Sequence, residues 1–210
     1  MSFSAVQAGL VRSLAHPGAN VTGVSFMPDV LGAKAIEALS QAVPGLSRVA
    51  AFYKADNPGA LLVVTETERR SAELRVRFER LPIRDSGDLA DAFAAAARAG
   101  AQAVFVMDDG AMTNMRGPFL KHASQRSLPV ASIYKDFAEA GGLFAYGPDL
   151  DDVYRRAAHY VARVLRGTKP SGLPVEQANR LHFVINLKSA KALGLAIPPS
   201  LLLRANQLIE

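Results

Sequence analysis

Hydrophobic and polar residues alternate along this chain in blocks that switch period. Residues 31–42 repeat apolar positions at helical spacing and stop at Pro44-Gly45. Residues 48–54 (RVAAFYK) form a short continuous apolar run, the mark of a strand covered on both faces. After a turn at residues 57–59, residues 61–73 read as a helix and 74–83 as a strand. An alanine-rich helix is expected over 86–98, with Gly100 as its stop. Residues 101–107 (AQAVFVM) read as a buried strand, 108–110 as a turn, 113–125 as a helix and 129–134 (PVASIY) as a strand. Strands and helices alternating at this spacing predict βαβ units and a parallel sheet, an α/β fold.

The flanks are less regular. Residues 21–26 and 143–146 read as short strands, 151–165 as an amphipathic helix closed by Gly167, and 181–185 as a strand. Residues 187–193 form a short helix ending at Gly194, and Pro198-Pro199 opens a last helix over 200–207.

Composition narrows the chemistry. With 210 residues, 50% of them hydrophobic, the chain builds a substantial core. It has no cysteine, which excludes disulfides, thiolate catalysis and cysteine metal sites. The net charge is +5, and the densest basic cluster is Arg69, Arg70, Arg75, Arg77, Arg80 and Arg84. Alternation sends Val76 and Phe78 to the face opposite Arg75 and Arg77, and no aromatic residues are interleaved as stacking platforms. A solvated edge with no nucleic-acid partner is expected. No stretch approaches the length of an apolar membrane span, and residues 1–23 lack the basic start and long apolar centre of a signal peptide.

Catalytic motifs are scarce. Residues 23–27 (GVSFM) approach the GxSxG nucleophile elbow but lack its last glycine. There is no GxGxxG and no GxxxxGK, so a nucleotide phosphate finds no glycine cradle. His16, His122, His159 and His182 are scattered, without metal-ligand spacing. Residues 20–22 (NVT) match a glycosylation sequon. No catalytic residue, metal or cofactor is expected.

What remains is placement. Ligands of open parallel sheets sit beyond the carboxyl ends of the strands. Those ends carry Tyr53 to Asn57, Asp108 to Gly110, and Tyr134 to Phe137. An Asp at such an edge pairs with a ligand ammonium, and a Tyr stacks on a ring or aliphatic body. Each residue also has a local reading: Asp108 as a helix N-cap, Tyr53 as a packed rim residue.

Residues 16–23 (HPGANVTG), 42–45 (AVPG), 140–142 (AGG) and 146–148 (YGP) resemble the substrate-binding proteins of bacterial ABC importers. The C-terminal stretch is closer still: 167–170 (GTKP), 173–177 (LPVEQ), 184–188 (VINLK), 190–194 (AKALG) and 197–200 (IPPS). The chain resembles the type I periplasmic-binding fold, in the group linked to uptake of amino acids and related small ligands. The resemblance implies two α/β lobes joined by crossing strands, with a small polar ligand trapped between them and passed to a membrane permease. Residues 23–147 and 185–210 would form a complete C-terminal lobe. Residues 1–22 and 148–184 would be a remnant of the N-terminal lobe, with residues 6–14 as its last helix before the hinge; the apolar faces of that helix and of 151–165 would be left exposed and prone to self-association. The expected ligand contacts are Asp109, Asp108, Asn57, Tyr53, Tyr134 and Phe137, with Asp109 foremost. Gly110 stands where many relatives carry Asn or Pro. An exported parent would be periplasmic or lipid-anchored, whereas this chain shows no address of its own. A ligand-sensing regulatory domain of the same fold is the alternative. An enzyme using Asp108 or Asp109 as a base finds no partner groups in the sequence.

Overall fold

A computed structural model describes residues 5–6, 9–107 and 110–210. In chain order the first half contains β1 (Gly23–Ser25), α1 (Pro28–Ala42), β2 (Arg48–Lys54), α2 (Pro58–Arg70), β3 (Arg77–Ile83) and α3 (Leu89–Arg98). Next come β4 (Ala103–Val106), α4 (Gly110–Asn114), α5 (Arg116–Ser124), β5 (Val130–Ser132), α6 (Lys135–Glu139) and β6 (Phe144–Pro148). The chain continues through α7 (Leu150–Leu165), β7 (Val175–Gln177), β8 (Leu181–Asn186), α8 (Leu187–Ala192), α9 (Pro199–Leu202) and β9 (Gln207–Ile209). It divides into a small unit, Met1–Pro28 with Pro148–Leu181, and a large unit, Asp29–Gly147 with His182–Glu210.

The large unit is built on a sheet of order β3-β2-β4-β5-β6-β8-β9. β3, β2, β4, β5 and β6 are parallel in turn, as are β8 and β9. The parallel α/β fold expected from the alternating pattern is the one observed. β2 is buried from Val49 to Lys54 because helices cover both of its faces. One of those faces is aromatic. Phe52 packs on Phe93 with ring centroids 4.6 Å apart, and Phe119 meets both edge-on at 4.9 and 5.0 Å. Phe137 closes the cluster against Phe119 at 5.8 Å. Edge-to-face pairs of this kind add about 0.5–1.5 kcal/mol each beyond the area they bury.

Two close approaches fix helix and strand positions. A Cβ on Gly32 of α1 would lie 2.5 Å from Thr67 Oγ1 and 3.0 Å from Phe105, so only glycine lets α1 settle there. A Cβ on Gly147 would lie 1.4 Å from the Ile133 carbonyl oxygen, so the end of β6 requires glycine by contact alone.

The small unit pairs β1 with β7 in parallel and packs α7 on them. Asp149 caps α7, its Oδ1 accepting from the Asp152 amide at 3.0 Å. Arg156 ties the helix to the strand: it donates to Asp152 (2.7 Å), Glu176 (3.2 Å) and Asn179 (2.9 Å). The Tyr160 hydroxyl donates to the Pro174 carbonyl at 2.7 Å. Burial, with the Glu176 carboxylate second, pushes the Tyr160 phenol up to about 12. The apolar arc of α7 continues past its buried side to exposed Tyr154, Val161 and Leu165.

Several elements differ from expectation. α2 begins at Pro58 rather than 61, because Pro58 takes the first helical position behind an Asn57 cap. The expected helix at 6–14 includes positions 7–8, which lie outside the described residues. Positions 9–14 are turns and bends: the Leu10 amide closes on Ala5 O at 2.9 Å, with Gly9 at φ +68°. The last helix is one turn, and the residues after it add β9 beside β8 instead. Asn206 makes that switch: its amide donates to Phe183 O (2.8 Å), and its side chain accepts from the Phe183 amide (2.7 Å).

Candidate functional site

The strand order places a reversal beside β2. From β2 the chain moves outward to β3, then returns to the other side of β2 as β4. Right-handed crossovers put the helices after β2 and β4 on opposite faces, which opens a crevice at their carboxyl ends. It is bounded by the carboxyl ends of β2, followed by residues 55–57, and of β4, followed by Met107. The β5 loop, 133–134, is the next neighbour.

Asn57 stands at the first of these loops. Its side chain accepts from the Ala60 amide at 3.2 Å and caps α2, while its own amide donates to Lys54 O at 3.2 Å. Tyr53, in register with Pro82, is 7% exposed, so it is a rim residue largely covered by its neighbours. Tyr134 is half-buried, with extended backbone at the start of α6, and its amide donates to Ser132 Oγ at 3.2 Å. Phe137 faces inward. Its ring is fully buried in the aromatic cluster, so it presents no surface to a ligand. Asp108 and Asp109 lie outside the described residues. The β4 strand leads to them through Met107, whose amide donates to Phe52 O at 2.9 Å. The structure therefore brings Asn57 to the crevice beside the end of β4, and Tyr134 to the end of β5, the next strand.

Two polar groups at this edge escaped the sequence reading. Lys54 is 7% exposed, donates to the Arg84 carbonyl and pairs with Asp56 at 3.3 Å. A lysine closing a buried apolar strand was the available signal, because a charge there needs partners on arrival. Ser132 is fully buried at the end of β5 and accepts the Tyr134 amide. Close by in sequence, Arg84 donates from its amide to Asp88 at 2.7 Å, which with the guanidinium holds the Asp88 carboxyl below the usual range.

His122 stacks on Phe93 at 5.6 Å and 16°. Among the described residues no group of three or more His, Cys, Asp or Glu is placed to hold a metal ion, and no helix is long and apolar enough to cross a membrane. Among the described residues the carboxyl edge carries the chemistry of a binding surface, the amide of Asn57 and the phenol of Tyr134.

Comparison with known proteins bears on the family and the fold. The family model described as ABC transporter substrate binding protein matches residues 2–209. A tyrosine-binding protein of Clostridioides difficile is 22% identical over 90% of this chain, which spans about half (54%) of that relative's length. The crystal structure of a Streptococcus pneumonia ABC domain in complex with L-Trp superposes with a TM-score of 0.88, at 25% identity, over 99% of this chain and 69% of that one. A conserved domain protein from Vibrio cholerae gives the same TM-score and identity, covering 98% of this chain and 68% of its own. The chain belongs to the ABC transporter substrate-binding protein family.

Proposed function

We propose that, as a member of this family, the chain binds an amino acid with an aromatic side chain and delivers it to an ABC permease outside the cytoplasm. The observation that carries this reading is the reversal of strand order between β2 and β4, which opens a crevice at their carboxyl ends; Asn57 follows β2 there, and Asp108 and Asp109 follow β4 in the sequence. The carboxylates of Asp108 and Asp109 match a ligand ammonium, the Asn57 amide matches a ligand carboxylate, and the half-buried Tyr134 offers a face for an aromatic ring. The tyrosine-binding relative and the L-Trp complex support the ligand class. No step in this function breaks a bond. The ligand is held by desolvated charge pairs and stacking, and its release is a conformational event.

The test is calorimetric titration of the chain with L-Trp, L-Tyr and L-Phe, beside a panel of sugars and aliphatic amino acids. Saturable binding of an aromatic amino acid near one per chain is expected, with D109N and D108N each weakening it at least tenfold. At a hundredfold excess over Kd, ligand should stabilise the fold by about 2.7 kcal/mol. Tighter binding of a sugar would overturn the ligand class. Unchanged affinity in both Asp variants would remove the carboxylates from the site.

A further inference from the structure

We propose that the amino edge of the large unit's sheet is a docking surface for anionic phospholipid headgroups, formed by Arg48, Arg75, Arg77 and Arg98. The arginine-rich stretch from 69 to 84 reads in the sequence as one solvated patch, but the structure separates it into two groups. Arg70 pairs with Asp29 at 2.9 Å, Arg80 with Glu68 at 2.6 Å and Arg84 with Asp88 at 3.4 Å, and Arg69 pairs with Glu66. Arg75 and Arg77 are different. Among the described residues neither forms an ion pair, and the carboxylates nearest them in sequence, Glu73 and Glu79, make none with them. Arg98 is likewise without an ion pair among those residues.

The fold gathers these unpaired cations with Arg48. Arg48 opens β2 in direct register with Arg77 on β3, so the two side chains rise from adjacent strands on one face of the sheet. The Arg48 guanidinium donates to the carbonyl of Ala99, the residue after Arg98 at the end of α3. Arg75, in the left-handed conformation at φ +55°, precedes Arg77 by two positions. All four side chains are exposed. Like charges directly opposite each other destabilise a sheet pair, so an anion seated here relieves a repulsion present in the free chain.

Arginine forks match phosphate oxygens in pairs. Phe78, the aromatic residue next to Arg77 in sequence, alternates to the other face of β3, so it offers no ring beside Arg77 for stacking on a nucleobase. The cluster is a corner of charge without an exposed apolar wedge, which suits contact at headgroup level rather than insertion. The choice of a lipid surface rests on the functional reading above, which places the chain beside a membrane. Amino-acid binding is measured separately, so failure of either idea is visible without the other.

The test is co-sedimentation of the full chain with vesicles of phosphatidylglycerol and phosphatidylcholine in equal parts, and of phosphatidylcholine alone, at 20 and 300 mM salt. The wild type should partition at least tenfold better onto the anionic vesicles at low salt and lose that preference at high salt. The triple variant R75Q/R77Q/R98Q should bind about a hundredfold more weakly, on roughly fivefold per arginine near the surface. R155Q/R163Q/R166Q, which removes three exposed charges from α7 and its C-cap, should stay within about threefold of wild type. If the first triple variant fails to fold by circular dichroism, R77Q alone should still show the fivefold loss. Equal binding to both vesicles, or equal losses in the two triple variants, would overturn the proposal. So would an oligonucleotide that binds these arginines more tightly than the vesicles do.

Discussion

Replacing Gly147 by alanine should destabilise the large unit by at least about 3 kcal/mol. The residue is buried, and its backbone is not in the left-handed region, so conformational freedom is not what glycine supplies here. The requirement is steric. A Cβ would stand 1.4 Å from Ile133 O and 2.5 Å from Ile133 C, both backbone atoms with no rotamer to change. Reaching 3.0 Å, the shortest separation real Cβ atoms show, moves the β6 and β5 ends apart by about 1.6 Å. Inter-strand spacing is about 4.8 Å, so that shift breaks the pairing which begins at Ala131 with Phe144 and Ser132 with Ala145. Overpacking costs about 1–3 kcal/mol, and each lost backbone bond adds about 1. With an m-value of about 2 kcal/mol/M, a loss of 3 kcal/mol lowers the urea midpoint by roughly 1.5 M. Far-UV circular dichroism reads the transition, and Gly117→Ala is the control. Gly117 lies in α5 with nothing within 4 Å of the added carbon, so alanine there should be neutral or stabilising by up to about 1 kcal/mol. A G147A midpoint within 0.3 M of wild type would refute the reasoning.

Phe119→Ala, which removes the ring at the centre of the aromatic cluster, should cost about 3–5 kcal/mol in the same assay, and a loss under 2 would mean the core repacks freely. Asn57→Ala should cost about 1 kcal/mol through the lost α2 cap, whereas Asn57→Asp keeps the cap and stays within about 0.5; weaker ligand binding in N57D at preserved stability then separates recognition from folding. Tyr160 is neutral in the fold and its phenol is raised to about 12, above the ordinary 10. Its stabilisation is complete below pH 10 and is lost as pH rises from 10 to about 12, on the order of 2–3 kcal/mol. Chemical denaturation across that range should show the decline in wild type and a flatter profile in Y160F; an identical slope in both would assign the alkaline loss to other groups.

Where local signals are strong, the elements were legible in the sequence. β2 occupies the expected residues because seven positions from Arg48 to Lys54 run without a breaker between a Gly-containing turn and an Asn-Pro turn. α7 starts one residue from expectation because Asp149 caps it and Gly167 ends it. α6 and β7 were not legible: they are five and three residues long, too short to show a period. Without α6 there was no helical phase to show that Phe137 turns into the core while Tyr134, three residues earlier, stays at the edge. β9 has no strand signature of its own and exists because β8 offers it a partner edge.

The sequence by itself determined the alternation of strand and helix, hence a parallel sheet, and the motif order that places the chain in its family. Local hydrophobic period and turn chemistry are written in neighbouring residues, so they survive without the fold. The tertiary structure alone decided which strand ends meet. Asn57 and Met107, some fifty positions apart, stand at one crevice only because β4 returns to the far side of β2. Likewise Arg48 and Arg77 become neighbours only through strand register. Strand order and register are settled by the packing of distant faces, an energy that no short window of sequence contains.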